Sequence, residues 1–286
     1  MNVRERIVFV DALRGYALMG LFLIHMVEYF ELYWLHPEPG PVNTVMFALF
    51  GGKAYAIFAL LFGLSFYIIL SRQAARGVDF RGRFAWRVTL LLVIGYLHGL
   101  VYGGDILQVL AVAGFLILPF WRAGDRVLAV AAGLCLLQVP TFAYVTLVDA
   151  LGGYVRPFFL DLSQAAYRVY AGGTFADVLA INAWQGMQFK WSFMLESGRL
   201  SNVVGLALAG CLIGRSGFIV DAERFRLAWW AGLAALVAAW WLLTWLRGPL
   251  VAALGNITTG WFAGNVVDIY RNTLLAGATV LLLALA

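Results

Sequence analysis

Apolar residues run along this chain in long, nearly unbroken stretches, and the polar positions between them gather in short clusters. The stretches lie near 9–32, 52–71, 84–102, 105–121, 126–148, 198–214, 226–246 and 264–286. Each is roughly 17–25 residues long, the length a helix needs to cross about 30 Å of hydrocarbon. Lipid leaves only helices and closed barrels with every backbone polar group satisfied, and no short alternating strands interrupt these runs. The pattern predicts an all-α, polytopic membrane bundle of about eight transmembrane helices, forming one domain over residues 1–286. "PEPGPVNTVMFALFGG", from Pro37 to Gly52, reads as a re-entrant or interfacial passage before the second span. Only "YGGD" joins the third and fourth spans, which predicts a tight antiparallel hairpin. The longest polar region, roughly 149–197, is rich in aromatics and is expected to form interfacial helices, a lid on the outer side.

Composition agrees with this pattern. Of the 286 residues 63% are hydrophobic and 12% charged, far from the quarter charged residues of a soluble domain. The first run carries charges and lacks an Ala-x-Ala site, so it is expected to remain as a span and not to be cleaved. Cys135 and Cys211 lie within apolar runs and read as small packing residues, with no disulfide or metal framework. The net charge of +5 reflects topology and does not point to nucleic acid, because the arginines flank the apolar runs. The loop from Arg72 to Arg87 holds five arginines against one aspartate, which places it in the cytoplasm. Arg4 and Arg6 put the N-terminus on the same side, and Glu28, Glu31 and Glu38 fall outside.

Ionisable residues within spans usually face a protein interior, a cavity or a pathway. Arg14 and His25 are eleven residues apart. At about 100° per residue they share one face within about 20°, separated by about 16 Å along the axis. Glu28 and Tyr29 follow His25 by three and four residues, so Glu28 can reach the imidazole, fix its tautomer and raise its basicity. Arg87 and His98 repeat the eleven-residue spacing, and Asp105 closes the hairpin after His98. Snorkelling and helix–helix hydrogen bonds account for these residues as well, and His36 reads as an ordinary loop residue. Lys53 snorkels by default at the outer end of the second span; the alternative use for Lys53 and Tyr29 is contact with a substrate. The arginine cluster follows the positive-inside rule. Alternatively Arg14, Arg72, Arg83 and Arg87 line a mouth for a polyphosphate, which a guanidinium fork pairs in bidentate fashion. No P-loop, dinucleotide fingerprint or zinc motif is present.

"RIVFVDALRGYALMGLFLIH", "GGKAYAIFALLFGLSF", "RVTLLLVIGYLHGLVYGGDILQVLAVAGFLIL" and "RLSNVVGLALAGCLIGRSGF" stand in this order over roughly residues 6–220. In order and spacing they resemble the YeiB-like family of bacterial membrane proteins. That family is grouped with heparan-alpha-glucosaminide N-acetyltransferase and with envelope-polysaccharide O-acyltransferases. The resemblance implies transfer of an acyl group, as acetyl, from cytoplasmic acyl-CoA (acetyl-CoA) to an extracytoplasmic sugar or lipid-linked acceptor, without a metal. Its setting would be the inner membrane of a bacterium, among membrane lipids, with a homo-oligomer as a further expectation. Arg14 and His25 match the arginine and histidine of the O-acyltransferases' first span, and Arg83 and Arg87 match their third-span arginines loosely. On this reading the arginines hold the nucleotide of acyl-CoA and His25 is the general base, with Glu28 orienting it. His98 or Asp105 would hold the acceptor. YeiB-like members often carry asparagine at the position of His25, and they usually run further, so this chain is expected to be short at its C-terminal side. The rival reading is a transporter, with the buried Arg and His residues forming a proton or anion path.

Overall fold

In the computed structural model, residues 3–35, 37, 40–152, 157–218, 222–254 and 257–285 are described, and every regular element among them is helical. Helix α1 (Val3–His25) continues into a π turn (Met26–Phe30), in which Glu31 N donates to Met26 O five residues back. Then come α2 (Pro41–Leu49), α3 (Lys53–Ala74) and α4 (Arg81–Val101). After α5 (Leu107–Ile117) follow α6 (Asp125–Leu136), α7 (Val139–Ala150), α8 (Phe158–Gly172), α9 (Phe175–Ala183) and α10 (Gln185–Glu196). The last three are α11 (Arg199–Ser216), α12 (Ala222–Leu254) and α13 (Ile257–Leu285).

By length and composition, five described helices could cross a membrane, or up to seven if each of two bent pairs forms one span. The bent pairs are α6–α7, at 47°, and α10–α11, at 63°. The first bend lies at Gln138, whose φ of 62° is left-handed, just before Pro140; the second lies at Gly198, with φ of 77°. Seven of the expected apolar runs coincide with these spans, and the run near 105–121 is the shorter apolar helix Leu107–Arg122. The passage expected as re-entrant is α2, which leads into α3 as one apolar stretch, Pro41–Ala74. The region 149–197 is built from α8, α9 and α10. The expectations for His36 and Glu38 lie outside the described residues, as do the side chains of Arg4 and Arg6.

The centre of the bundle is the crossing of α3 and α11. Glycines let the two backbones touch there: a Cβ added at Gly63 would lie 1.8 Å from Ala207 O, and one at Gly210 would lie 2.1 Å from Leu60 O. Cys211 Sγ donates to Gly63 O at 3.3 Å in the same contact, and both cysteines are free, as small packing residues should be. Around this seam α1 buries Val10, Leu13, Ala17, Gly20 and Ile24, and the π turn continues the stripe with Val27, spaced three and four residues apart. Arg14 and His25 run along one flank of that stripe.

Three contacts set the directions of the helices. On α1, Gly20 packs on Ala54 and Arg14 donates to Ser65, so α3 runs back along α1. Phe66 meets Phe84 at 4.8 Å between ring centres, and Phe84 stands near the start of α4, so α4 turns back again. Helices α1 and α4 therefore run the same way. Arg14, Arg83 and Arg87 fall toward one end of the bundle, His25 and His98 toward the other. The expected α4–α5 hairpin is present, with Gln108 Nε2 donating to Gly95 O at 2.9 Å.

Candidate functional site

The histidine end assembles around Tyr102, the residue that ends α4. His25 faces its ring at 5.5 Å between centres, Tyr29 at 5.2 Å and His98 at 5.7 Å. His25 and Tyr29, one helical turn apart, also meet at 5.9 Å. The π turn after His25 places Tyr29 here, and such turns occur often at functional sites.

Asp105 anchors the other side. Its Oδ1 lies 3.1 Å from His98 Nδ1 and accepts from Leu107 N, while Oδ2 accepts from Gln108 N and lies 3.5 Å from Lys190 Nζ. Asp105 thus caps the start of α5 with a carboxylate, the charge a helix N-terminus favours, and at the same time orients a histidine. Helices α8–α10 close over this group. Asn182 of α9 donates to Leu100 O at 3.0 Å and accepts from Tyr170 of α8, and Lys190 of α10 comes in beneath them. Burial pushes the Tyr102 and Tyr170 phenols up, Tyr170 to about 12, so both hydroxyls stay protonated at neutral pH and can donate.

The residues singled out from sequence divide between three places. His25, Tyr29, His98 and Asp105 meet at Tyr102. Glu28 stands beside them, yet its carboxylate accepts from Trp34 Nε1 at 3.3 Å, and His25 Nδ1 has no hydrogen-bond partner among the described residues. The charge of Arg199 acts on both Glu28 and His25, and its guanidinium lies 4.9 Å from the Tyr55 ring centre and 5.0 Å from that of Phe193. Lys53 does not snorkel: it is 5% exposed, and its ammonium donates to Gly51 O at 2.9 Å and Phe47 O at 3.2 Å, closing the end of α2. At the other end of the bundle, Arg14 pairs with Asp11 at 3.0 Å and donates to Ser65 at 2.8 Å. Ser65 and Arg72 lie on one face of α3, two turns apart. Arg72, Arg83 and Arg87 are exposed, Arg87 with its guanidinium 5.4 Å from the Phe80 ring centre.

Sequence reading missed Tyr102, Asn182 and Lys190. The chain has two lysines, and both are buried, although buried lysines are rare without a partner. The signal in sequence was "QFKWSF", a lysine with aromatic neighbours in a chain where all but two of the 20 Lys and Arg residues are arginines.

A multi-pass helical membrane protein with a histidine–carboxylate–lysine cluster at one end and exposed arginines at the other is the class that fold and site define. The family model described as heparan-alpha-glucosaminide N-acetyltransferase, catalytic, matches residues 6–152, and the chain belongs to that family. It is 30% identical over 168 residues to an uncharacterized 39.9 kDa protein in the amylase 3′ region of Bacillus acidopullulyticus, covering 58% of this chain and 47% of that protein. It is 24% identical over 267 residues to the uncharacterized protein YxaH of Bacillus subtilis (strain 168), covering 82% of this chain and 65% of that one. The chain thus spans about half and about two thirds of the relatives it matches. No solved structure matches. Family membership carries a transmembrane acetyltransferase character that covers α1 to α7; α8–α10, with Lys190 and Asn182, lie beyond the matched residues.

Proposed function

We propose that this protein is a transmembrane acyltransferase that moves an acyl group, acetyl in the first instance, from acyl-CoA to a hydroxyl or amine on an extracytoplasmic carbohydrate or lipid-linked acceptor. The observation that carries the reading is the convergence of His25, His98 and Asp105 at one end of two parallel helices that hold Arg14, Arg83 and Arg87 toward the other. Acyl-CoA is an extended molecule with a polyphosphate at one end and a thioester at the other. The roughly 16 Å between Arg14 and His25 along α1 suits a pantetheine arm reaching from one group to the other.

In this reading the exposed arginines hold the nucleotide phosphates and His25 removes the proton of the acceptor. His98, held by Asp105, positions the acceptor, and Tyr29 packs beside it on Tyr102. The setting is the cytoplasmic membrane of a bacterium, and the chain works as one domain. Calorimetric titration with acetyl-CoA and CoA, followed by transfer of labelled acetyl to a panel of glycans and lipid-linked sugars, tests it. Saturable binding of both nucleotides with transfer to one acceptor class is expected. Absence of acetyl-CoA binding combined with proton-coupled flux through proteoliposomes would overturn it in favour of a transporter.

A further inference from the structure

Five buried side-chain polar atoms lack a hydrogen-bond partner among the described residues, and three of them belong to the group gathered around Tyr102 and Asp105: His25 Nδ1, Tyr102 Oη and Lys190 Nζ. Buried polar atoms almost always find a partner, and an ammonium is the costliest of the three to leave without one. Lys190 is 5% exposed. Its 3.5 Å approach to Asp105 is one long contact, which can use at most one of the three N–H groups of an ammonium. Both oxygens of that carboxylate are already occupied, by His98 Nδ1 and by the backbone N–H groups of Leu107 and Gln108. Asp105 therefore balances the charge of Lys190 and leaves at least two of its three N–H donors unused.

Glycines stand directly against the two free donors. A Cβ at Gly104 would lie 2.6 Å from Tyr102 Oη, and one at Gly99 would lie 3.4 Å from Lys190 Nζ. A protonated phenol and a charge-balanced ammonium, both desolvated and both short of an acceptor, make a donor pair suited to an oxygen that carries negative charge only briefly.

We propose that Lys190 Nζ and Tyr102 Oη are the oxyanion donors of the acyl transfer, a role that rests on the acyltransferase reading above. The acceptor oxygen or nitrogen attacks the thioester carbonyl carbon while His25 takes its proton. The carbonyl π pair moves onto oxygen, where the ammonium and the phenol hold it. When that pair returns, the C–S bond breaks, and the departing CoA thiolate takes the proton from the imidazolium.

The test compares K190M and Y102F with the unaltered protein in nanodiscs, measuring kcat, KM and the infrared carbonyl stretch of bound acetyl-CoA labelled at the carbonyl carbon. The unaltered protein is expected to lower the carbonyl frequency relative to free acetyl-CoA, and both variants to return it toward the free value. The expected loss in kcat is about 10²–10³-fold for each, while acetyl-CoA affinity changes by less than about threefold. Y102F removes a single oxygen, so it carries the test if K190M does not fold. A folded variant of either kind that keeps both kcat and carbonyl frequency overturns the assignment and leaves the acyltransferase reading standing. Failure of the unaltered protein to bind acetyl-CoA or to transfer acetyl overturns both.

Discussion

His98 and Asp105, seven residues apart across the α4–α5 turn, meet at 3.1 Å between Nδ1 and Oδ1; the histidine side chain is 51% exposed and the carboxylate 1%. The buried partner fixes the exposed one, which is how a rigid turn presents an oriented imidazole. The same carboxylate faces Lys190, so one residue supports two groups from two helices.

Asp105→Asn should for that reason be among the most damaging single changes. It leaves a buried ammonium without its counter-charge, a loss of about 3–5 kcal/mol for comparable buried pairs. Thermal unfolding in detergent should show a large drop, and the double variant D105N/K190M should recover part of it. A D105N protein as stable as the parent would show that the ion pair does not matter to the fold.

His25→Ala should lower acyl transfer by about 10²–10⁴-fold, the usual contribution of a general base, while acetyl-CoA still binds. A labelled-acetyl assay beside calorimetry separates the two effects. Undiminished transfer by the variant would remove His25 from the mechanism.

Arg87→Gln and Arg14→Gln should weaken CoA and leave the acceptor half of the reaction intact. Each lost charge-assisted contact is worth about 1.5–3 kcal/mol, or about tenfold or more in affinity. Arg14 also bonds Asp11 and Ser65, so its variant should lose some thermal stability as well, whereas the exposed Arg87 should not. Titrations giving the parent's affinity for both variants would locate the nucleotide elsewhere.

Gly63→Ala should separate α3 from α11. The new methyl would meet a backbone carbonyl 1.8 Å away, and neither helix backbone can yield locally. Overpacking costs typically about 1–3 kcal/mol, and more where the obstacle is backbone. Size-exclusion profiles should show lost monodispersity, while G82A, where an added Cβ meets nothing within 4 Å, should not.

Helix α9 should loosen in acid. Asp177 forms a capping box with Thr174, and the hydroxyl and backbone N–H of Thr174 hold its carboxyl below the usual range. A depressed carboxylate stabilises fully above its unfolded value, near 4, and loses that contribution as pH falls through the folded value. Hydrogen exchange of α9 should therefore quicken between neutral and acidic pH beyond the intrinsic change, and D177N should flatten the dependence.

Much of this protein was determined by the one-dimensional pattern. Apolar runs of membrane length leave only helices, so the all-α bundle, the α4–α5 hairpin and the polar flank from Arg14 to His25 follow from spacing alone. Eleven residues bring a helix back almost to the same face wherever the helix stands. Tertiary structure decided the partners. The carboxylate three residues from His25 turned to Trp34, while His98 found Asp105 and Lys53 closed the end of α2. Lys190, about ninety residues along from His98, arrived beside Asp105 only because α10 folds under the α4–α5 turn. Helical periodicity is local and can be counted, but the cost of a buried charge is set by whatever the rest of the chain brings next to it.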